Sequence, residues 1–176
     1  MTFDDLGKSQ SADNKVTEWL PGLTVAYHLT EQWVGYANAQ KSLRAPQIAY
    51  IRGLGEEGSE LAWNYELGAR YNQETTSFNA ALYRIDFKDQ LQWQSATQTF
   101  DNIGKTLHQG IELSGRYVPK ALQALSLGAS YNYLDATLEE NGPNKGNQLA
   151  YTSKHQLSWD ATYTFTGIDT TLSGYY

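Results

Sequence analysis

The chain has 176 residues and no cysteine, so it has neither a disulfide framework nor a thiolate for metal binding or nucleophilic attack. Its mean hydropathy is −0.56, and no run approaches the roughly 18 apolar residues of a transmembrane helix. The N-terminal segment has neither the basic start nor the apolar centre of a signal peptide. These absences exclude a disulfide-stabilised domain and a helical membrane protein.

The sequence also has no cluster of Lys and Arg residues. The formal net charge is −6, and contacts with nucleic-acid phosphates need clustered Lys and Arg. A nucleic-acid partner is therefore not expected. Proline is scarce as well, and the four prolines lie at a strand start or in a connection, where a missing N–H disturbs a β-ladder least.

The chain does contain a two-residue alternation of apolar and polar side chains in segment after segment. In residues 59–71, Trp63 and Tyr65 share one parity, whereas Glu66 and Arg70 share the other. A period of two indicates β-strands with one apolar and one polar face. Tyr and Trp near the strand ends favour a membrane β-barrel over a soluble sandwich.

We interpret the charged residues as confined to one parity. A Lys or Arg facing lipid at mid-depth costs about 2–4 kcal/mol, so the charged parity is expected to line a hydrated interior. The predicted interior polar wall consists of Glu66, Arg70, Arg84, Asp86, Glu112 and Arg116. Whether these side chains pair with one another or bind a partner inside the barrel is left open by the alternation.

Two places fit the alternation less well. In residues 81–87 we expect the uncharged set Ala81, Tyr83, Ile85 and Phe87 to face lipid. The same assignment puts the apolar Phe78 on the polar parity, which is the first misfit. The segment 33–40 can be assigned to either face, because Val34 and Tyr36 compete with Trp33 and Ala37.

Short and long connections alternate along the chain. The long ones are Lys41–Glu60, Asp89–Gly104 and Ala136–Ser153. Outer-membrane barrels have short periplasmic turns and longer outer loops, so the long connections are predicted to lie outside the cell.

The expected fold is all-β: residues 1–176 form an incomplete part of an antiparallel transmembrane β-barrel domain, an open curved sheet of about eight strands. Two alternatives remain. One is a small complete outer-membrane barrel with a structural or adhesive role, and the other is a soluble β-sandwich binding module.

Four strings in the sequence resemble the TonB-dependent outer-membrane receptors, and within them the ferric citrate receptor branch. They are the segments Leu20–Trp33, Tyr36–Pro46, Trp63–Tyr71 and Gly104–Leu113. The patterns Tyr-Glu-Leu-Gly-x-Arg and Gly-Lys-Thr-x-x-x-Gly-x-Glu are typical of the C-terminal half of such barrels. The resemblance implies a bacterial outer-membrane barrel of roughly 22 strands, closed by an N-terminal plug domain, that imports ferric siderophores with energy delivered by TonB. The plug and the final strands would lie outside residues 1–176.

The resemblance also implies where a ligand binds. Ferric citrate presents carboxylates, for which Arg offers paired donors. The candidate ligand residues in the long loops are Arg44, Gln47, Arg52, Gln94 and Gln98. The three acidic residues Glu56, Glu57 and Glu60 in the first of these loops suit an anionic ligand poorly.

No resident cofactor is expected, since iron would arrive already chelated. The expected partners are a ferric siderophore, the TonB complex through the plug region, and outer-membrane lipid. Catalysis has little support, because the three histidines fall on three different predicted strands. A lipid hydrolase is a remote alternative, because it would require a nucleophilic Ser near a His at the outer rim, and Ser153 with His155 is the only nearby pair in the sequence.

Overall fold

The computed structural model describes residues 17–44, 59–94 and 99–176, without the side chains of 93, 94 and 99–101. Its strands are β1 Gly22–His28, β2 Trp33–Arg44, β3 Glu60–Gln73, β4 Thr76–Lys88, β5 Leu91–Gln94, β6 Thr99–Asn102, β7 Thr106–Tyr117, β8 Leu125–Leu138, β9 His155–Phe165 and β10 Ile168–Tyr175. None of the described residues forms a helix long and apolar enough to cross a membrane.

Eight strands form one sheet in the order β1-β2-β3-β4-β7-β8-β9-β10, and β5 pairs with β6 in a separate hairpin. Every neighbouring pair in the sheet is antiparallel. The sheet is open, with β1 and β10 at its two edges. The expected all-β, antiparallel, open sheet is confirmed.

The pairing registers run without interruption, so residues directly opposite each other share a face from one edge of the sheet to the other. One face, called here the aromatic face, carries Trp33, Trp63, Tyr65 and Trp159. The opposite face, called the polar face, carries Glu66, Arg70, Glu112, Arg116 and Asp160. The two faces are therefore chemically distinct over the whole sheet.

Most large apolar side chains on the aromatic face are exposed. Leu67 is 61% exposed, Leu82 54% and Trp63 38%. The buried residues instead lie on the polar face and are Glu60, Ala62, Ala81, Thr106, Gly128 and Ala136. A soluble sandwich would enclose its aromatic residues between two sheets, and the described part of the chain has no such interior.

The turn between β3 and β4 corrects one prediction. Gln73 pairs with Thr76 across a two-residue turn, which places Tyr65 opposite Arg84 and Trp63 opposite Asp86. Arg84 and Asp86 therefore lie on the aromatic face and are not part of the predicted polar wall. A tight hairpin fixes the register, and a shift of one residue exchanges every side chain between the faces.

The same register moves the neighbouring side chains of β4. Tyr83 lies opposite Glu66 and Ile85 opposite Asn64, so both lie on the polar face, as does Phe87. The prediction that these residues face lipid is wrong. Phe78, which was assigned to the polar parity, lies on the aromatic face opposite Tyr71.

The ambiguous strand β2 is also resolved by its register. Tyr36 lies opposite Gly68 and Asn38 opposite Glu66, on the polar face. Trp33 lies opposite Tyr71 on the aromatic face, with the two ring centroids 5.0 Å apart.

The three long connections leave the sheet at one end, called here the loop end, and follow β2, β4 and β8. The predicted alternation of short and long connections is present. The second long connection contains the β5–β6 hairpin, which was predicted as loop.

Candidate functional site

The polar face holds most of the chemistry in the described residues, and its first cluster centres on Tyr36. The Tyr36 hydroxyl donates a hydrogen bond to Glu66 Oε1 at 2.6 Å. The Arg70 guanidinium lies 4.6 Å from the centroid of the Tyr36 ring, close enough for a cation–π contact. Gly68 makes room for the ring, because a Cβ atom there would overlap it.

A second cluster joins β7, β8 and β9. Arg116 pairs with Asp160 at 3.0 Å and donates a second hydrogen bond to Ser126 Oγ at 2.8 Å. Gly128 lies between the two charged side chains, and a Cβ atom there would overlap the Asp160 carboxylate. The glycine therefore allows the ion pair to form across the strand between its partners.

Neutral hydrogen bonds lie on the same face beside these clusters. The Tyr83 hydroxyl donates to Asn132 Oδ1 at 3.2 Å, and the hydroxyls of Ser130 and Ser158 lie 2.7 Å apart. A groove of about 470 Å³ runs along this part of the face. Its charged lining residues are Arg70, Arg116 and Asp160.

The predicted wall residues differ in whether they form ion pairs. Arg116 is ion-paired within the sheet, whereas Glu66, Arg70 and Glu112 form no ion pair with other described residues. Ion pairs within the wall therefore neutralise only part of its charge. A second groove of about 380 Å³, lined in part by Glu66 and Glu112, adjoins Tyr83 and His108.

At the loop end, a buried carboxylate ties three segments together. Glu60 is 4% exposed. Its Oε1 accepts a hydrogen bond from the backbone N–H of Leu91 at 2.6 Å, and its Oε2 accepts one from Arg44 Nη1 at 3.3 Å. The first strand of the β5–β6 hairpin is thus anchored to the ends of β2 and β3.

Gln90 anchors the same hairpin from its other side. Its Oε1 accepts a hydrogen bond from the Thr106 hydroxyl and lies 3.1 Å from His108 Nε2. The His108 ring packs against Phe87 with the ring centroids 4.9 Å apart. The start of the hairpin therefore lies against the polar face and not against the aromatic face.

The candidate ligand residues are only partly covered by the structure. Arg44 ends β2, and its side chain is 65% exposed beside Glu60. Gln47, Arg52 and Gln98 lie outside the described residues, and Gln94 belongs to β5 with its side chain outside them. The structure brings Arg44 close to the hairpin, and the grouping of all five residues stays a prediction.

Tyr36, Asn132 and Asp160 were missed as functional residues. Each takes part in the polar network through a partner on another strand. Their positions depend on the pairing registers across two long connections, which place Tyr36 opposite Gly68 and Asp160 opposite Gly128; no pattern within a single strand gives these registers.

No metal centre was found among the described ranges: no three His, Asp or Glu side chains converge there. His108 lies on the polar face, and His155 lies on the aromatic face with its Nδ1 2.8 Å from the Tyr131 hydroxyl.

Comparison with known proteins places this sheet in context. Residues 2–176 match a family model described as TonB dependent receptor-like, beta-barrel. The pesticin receptor of Yersinia pestis is 29% identical over 121 residues, which cover 65% of this chain and 17% of that receptor. The chain thus spans less than a fifth of the length of this curated relative.

Solved structures with the same fold include two transport proteins. The ferric yersiniabactin uptake receptor FyuA from Yersinia pestis superposes with a TM-score of 0.66 at 22% identity, over 82% of this chain and 22% of that one. The copper transporter OprC has a TM-score of 0.64 at 15% identity, over 86% of this chain and 25% of that one. At these identities the likeness establishes the fold and not the cargo.

Proposed function

Because the chain belongs to the TonB-dependent receptor-like β-barrel family, we propose that it forms part of the wall of a receptor that binds and imports a ferric siderophore with TonB-delivered energy. Members of this family are outer-membrane proteins, which gives the location. The comparisons favour a receptor over an enzyme. The observation that carries the proposal is the family match over residues 2–176 to a sheet whose aromatic face is exposed.

In this proposal the aromatic face contacts the hydrocarbon of the membrane and the polar face lines the lumen. The aromatic face has no charged residue between the row of Trp33, Tyr71 and Phe78 and the row of Trp63 and Tyr65. A wall that touches lipid on one side and water on the other requires this separation.

The polar face is proposed to contact a plug domain supplied by the rest of the protein. Glu66, Arg70 and Glu112 carry charge that the described part of the wall does not neutralise. Groups of complementary charge on a plug would neutralise it, and the plug would also connect the receptor to TonB.

The cargo is proposed to be iron that arrives chelated, with no resident cofactor in the wall. Ferric citrate is the specific candidate, supported by the four sequence strings and by Arg44 near the loop end. Arg44 already binds Glu60, so a carboxylate ligand would have to share its guanidinium. The names of the similar receptors extend the candidates to yersiniabactin-type siderophores.

The test uses the full-length receptor in cells with and without TonB. Uptake of radioactive iron is measured from ferric citrate and ferric yersiniabactin, with copper as the competing cargo. We expect TonB-dependent uptake of one iron chelate and a weaker apparent affinity in Arg44→Ala. Lys120→Ala, in the exposed turn between β7 and β8, is the matched control. Uptake that is unchanged without TonB, or restricted to copper, would overturn the proposal.

A further inference from the structure

The long connection between β8 and β9 begins with a closed loop whose tip is exposed. The backbone N–H of Gly146 donates to the carbonyl oxygen of Leu138 at 2.7 Å and closes the loop. Residues 140–147 are all exposed. The tip contains Asn141 followed by Gly142, the only Asn-Gly pair in the sequence.

An asparagine followed by a glycine is chemically labile. Asparagine is among the thermolabile residues, because the backbone nitrogen of the next residue can attack its side-chain amide carbon. Glycine permits the closest approach, since it has no Cβ atom. Apart from its chain neighbours, no described atom lies within 4 Å of the position that a Cβ atom would take at Gly142, and its N–H donates no hydrogen bond to another described residue. The geometry leaves this nitrogen available to the side chain of Asn141.

The other asparagines of the described ranges differ from Asn141 in structure and in the residue that follows. Six of them lie within strands, where the main chain is extended and paired: Asn38, Asn64, Asn72, Asn79, Asn102 and Asn132. Asn144 and Asn147 lie in the same loop as Asn141, but neither precedes a glycine. Lys145, which follows Asn144, donates its backbone N–H to the carbonyl oxygen of Gly142 at 3.3 Å. Sequence and structure together therefore single out Asn141.

We propose that Asn141 is a site of spontaneous deamidation. The backbone nitrogen of Gly142 forms a bond to Cγ of Asn141, the Cγ–Nδ2 bond breaks, and the proton lost by the attacking nitrogen leaves with Nδ2 as ammonia. Water then opens the five-membered imide ring. Attack of water at Cγ gives aspartate, attack at the main-chain carbonyl carbon gives isoaspartate, and in both cases a proton returns to the Gly142 nitrogen. One water enters and one ammonia leaves, with no oxidant and no enzyme.

The modification makes the loop more acidic without altering the sheet. Glu139 and Glu140 precede Asn141, so a carboxylate at this position gives three consecutive acidic residues. Isoaspartate also adds one atom to the main chain. Both changes lie beyond Leu138, the last residue of β8, so the pairing registers are retained. The chemistry is independent of the proposed function; in the proposed receptor it would make the loop end more negative as the molecule ages.

The first test follows the reaction over time. The purified full-length receptor is incubated in vesicles at neutral pH, digested at intervals and analysed by mass spectrometry with fragmentation. We expect the mass increase of an amide-to-acid exchange at Asn141, with separate aspartate and isoaspartate forms, and none at this position in Asn141→Gln. Conversion at Asn144, an exposed asparagine of the same loop, should be about tenfold slower or more, which corresponds to a barrier about 1.4 kcal/mol higher. No conversion at Asn141, or equal rates at the two positions, would overturn the proposal.

The second test separates the exposed tip from the Asn-Gly sequence. Ala39→Gly creates an Asn-Gly pair at Asn38, inside β2, where residue 39 pairs with both Leu23 and Tyr65. In the folded receptor we expect Asn38 of this variant to convert about tenfold more slowly than Asn141. In guanidinium chloride the two rates should become similar. Equal rates in the folded protein would refute the role of the exposed tip, as would rates that stay apart in the unfolded chain.

Discussion

A lysine placed at two adjacent positions of β7 should have opposite consequences. Leu113 lies on the aromatic face between Ala80 and Tyr131, whereas Ser114 lies on the polar face between Asn79 and Ser130. Both side chains are exposed. Leu113→Lys and Ser114→Lys thus introduce the same charge one residue apart, and the difference between them reports which face meets hydrocarbon.

The free energy cost of each lysine depends on the depth of its side chain in the bilayer. A Lys facing lipid near the bilayer midplane costs about 2–4 kcal/mol, and every 1.4 kcal/mol is a factor of about ten. Leu113→Lys should therefore lower the folding equilibrium constant roughly 30- to 700-fold. The lysine side chain in Ser114→Lys would face a hydrated groove beside Asn79. This substitution should change the free energy of unfolding by about 0.5 kcal/mol or less.

The assay is equilibrium unfolding of the full-length receptor from vesicles in guanidinium chloride, followed by Trp fluorescence and by heat-modifiable migration. Gln109→Lys, on the same face as Leu113 but near the loop end, should cost only about 0–1 kcal/mol. A Ser114→Lys variant as destabilised as Leu113→Lys, or more so, would refute the assignment of the two faces.

Two further substitutions test the polar face. Gly68→Ala places a Cβ atom against Cζ and the hydroxyl oxygen of Tyr36, closer than van der Waals contact, and should destabilise the protein by about 1–3 kcal/mol in the same unfolding assay. Gly35→Ala, whose new Cβ would meet only Leu29 Cδ1 at 3.7 Å, should be nearly neutral, and equal losses would contradict the packing argument. Glu60→Gln removes the charge from the buried bond to Leu91 and should cost about 1–2 kcal/mol. Amide exchange at Leu91 should accelerate roughly tenfold, and unchanged protection would contradict the anchoring role.

Alternation was sufficient to predict most strands and their faces. In β3, β7, β8 and β9 one parity is mostly apolar, with Gln109 and Asp135 as exceptions near the loop end, so Trp63, Ile111 and Trp159 were correctly placed on the exposed face. The method failed in β4, where the aromatic-face parity is charged in the half nearer the loop end. A charged residue costs little near the end of a barrel strand, so polarity alone does not identify its face there.

Turn length was the better signal for β4. Pairing of Gln73 with Thr76 follows from a two-residue hairpin, and it places Phe78 opposite Tyr71 whatever the polarity of the residues beyond. Counting from the turn would have assigned Arg84 and Asp86 correctly.

The candidate site was harder to predict because its contacts join distant segments. Glu66 and Arg70 were identified as interior residues, but the interaction of Glu66 with Tyr36 spans two strands. The anchor between Glu60 and Leu91 joins two separate long connections. No periodicity within one strand encodes such contacts, since they depend on how loops fold back across the sheet.

The contrast between the two ends of the sheet has an evolutionary consequence. Adding one residue to the turn between Gln73 and Thr76 would alter the pairing of β4, and such changes should be removed by selection. Insertions and deletions in the long connections leave every register intact. In the proposed receptor, the long connections can therefore diversify among descendants of this protein while the sheet is inherited unchanged.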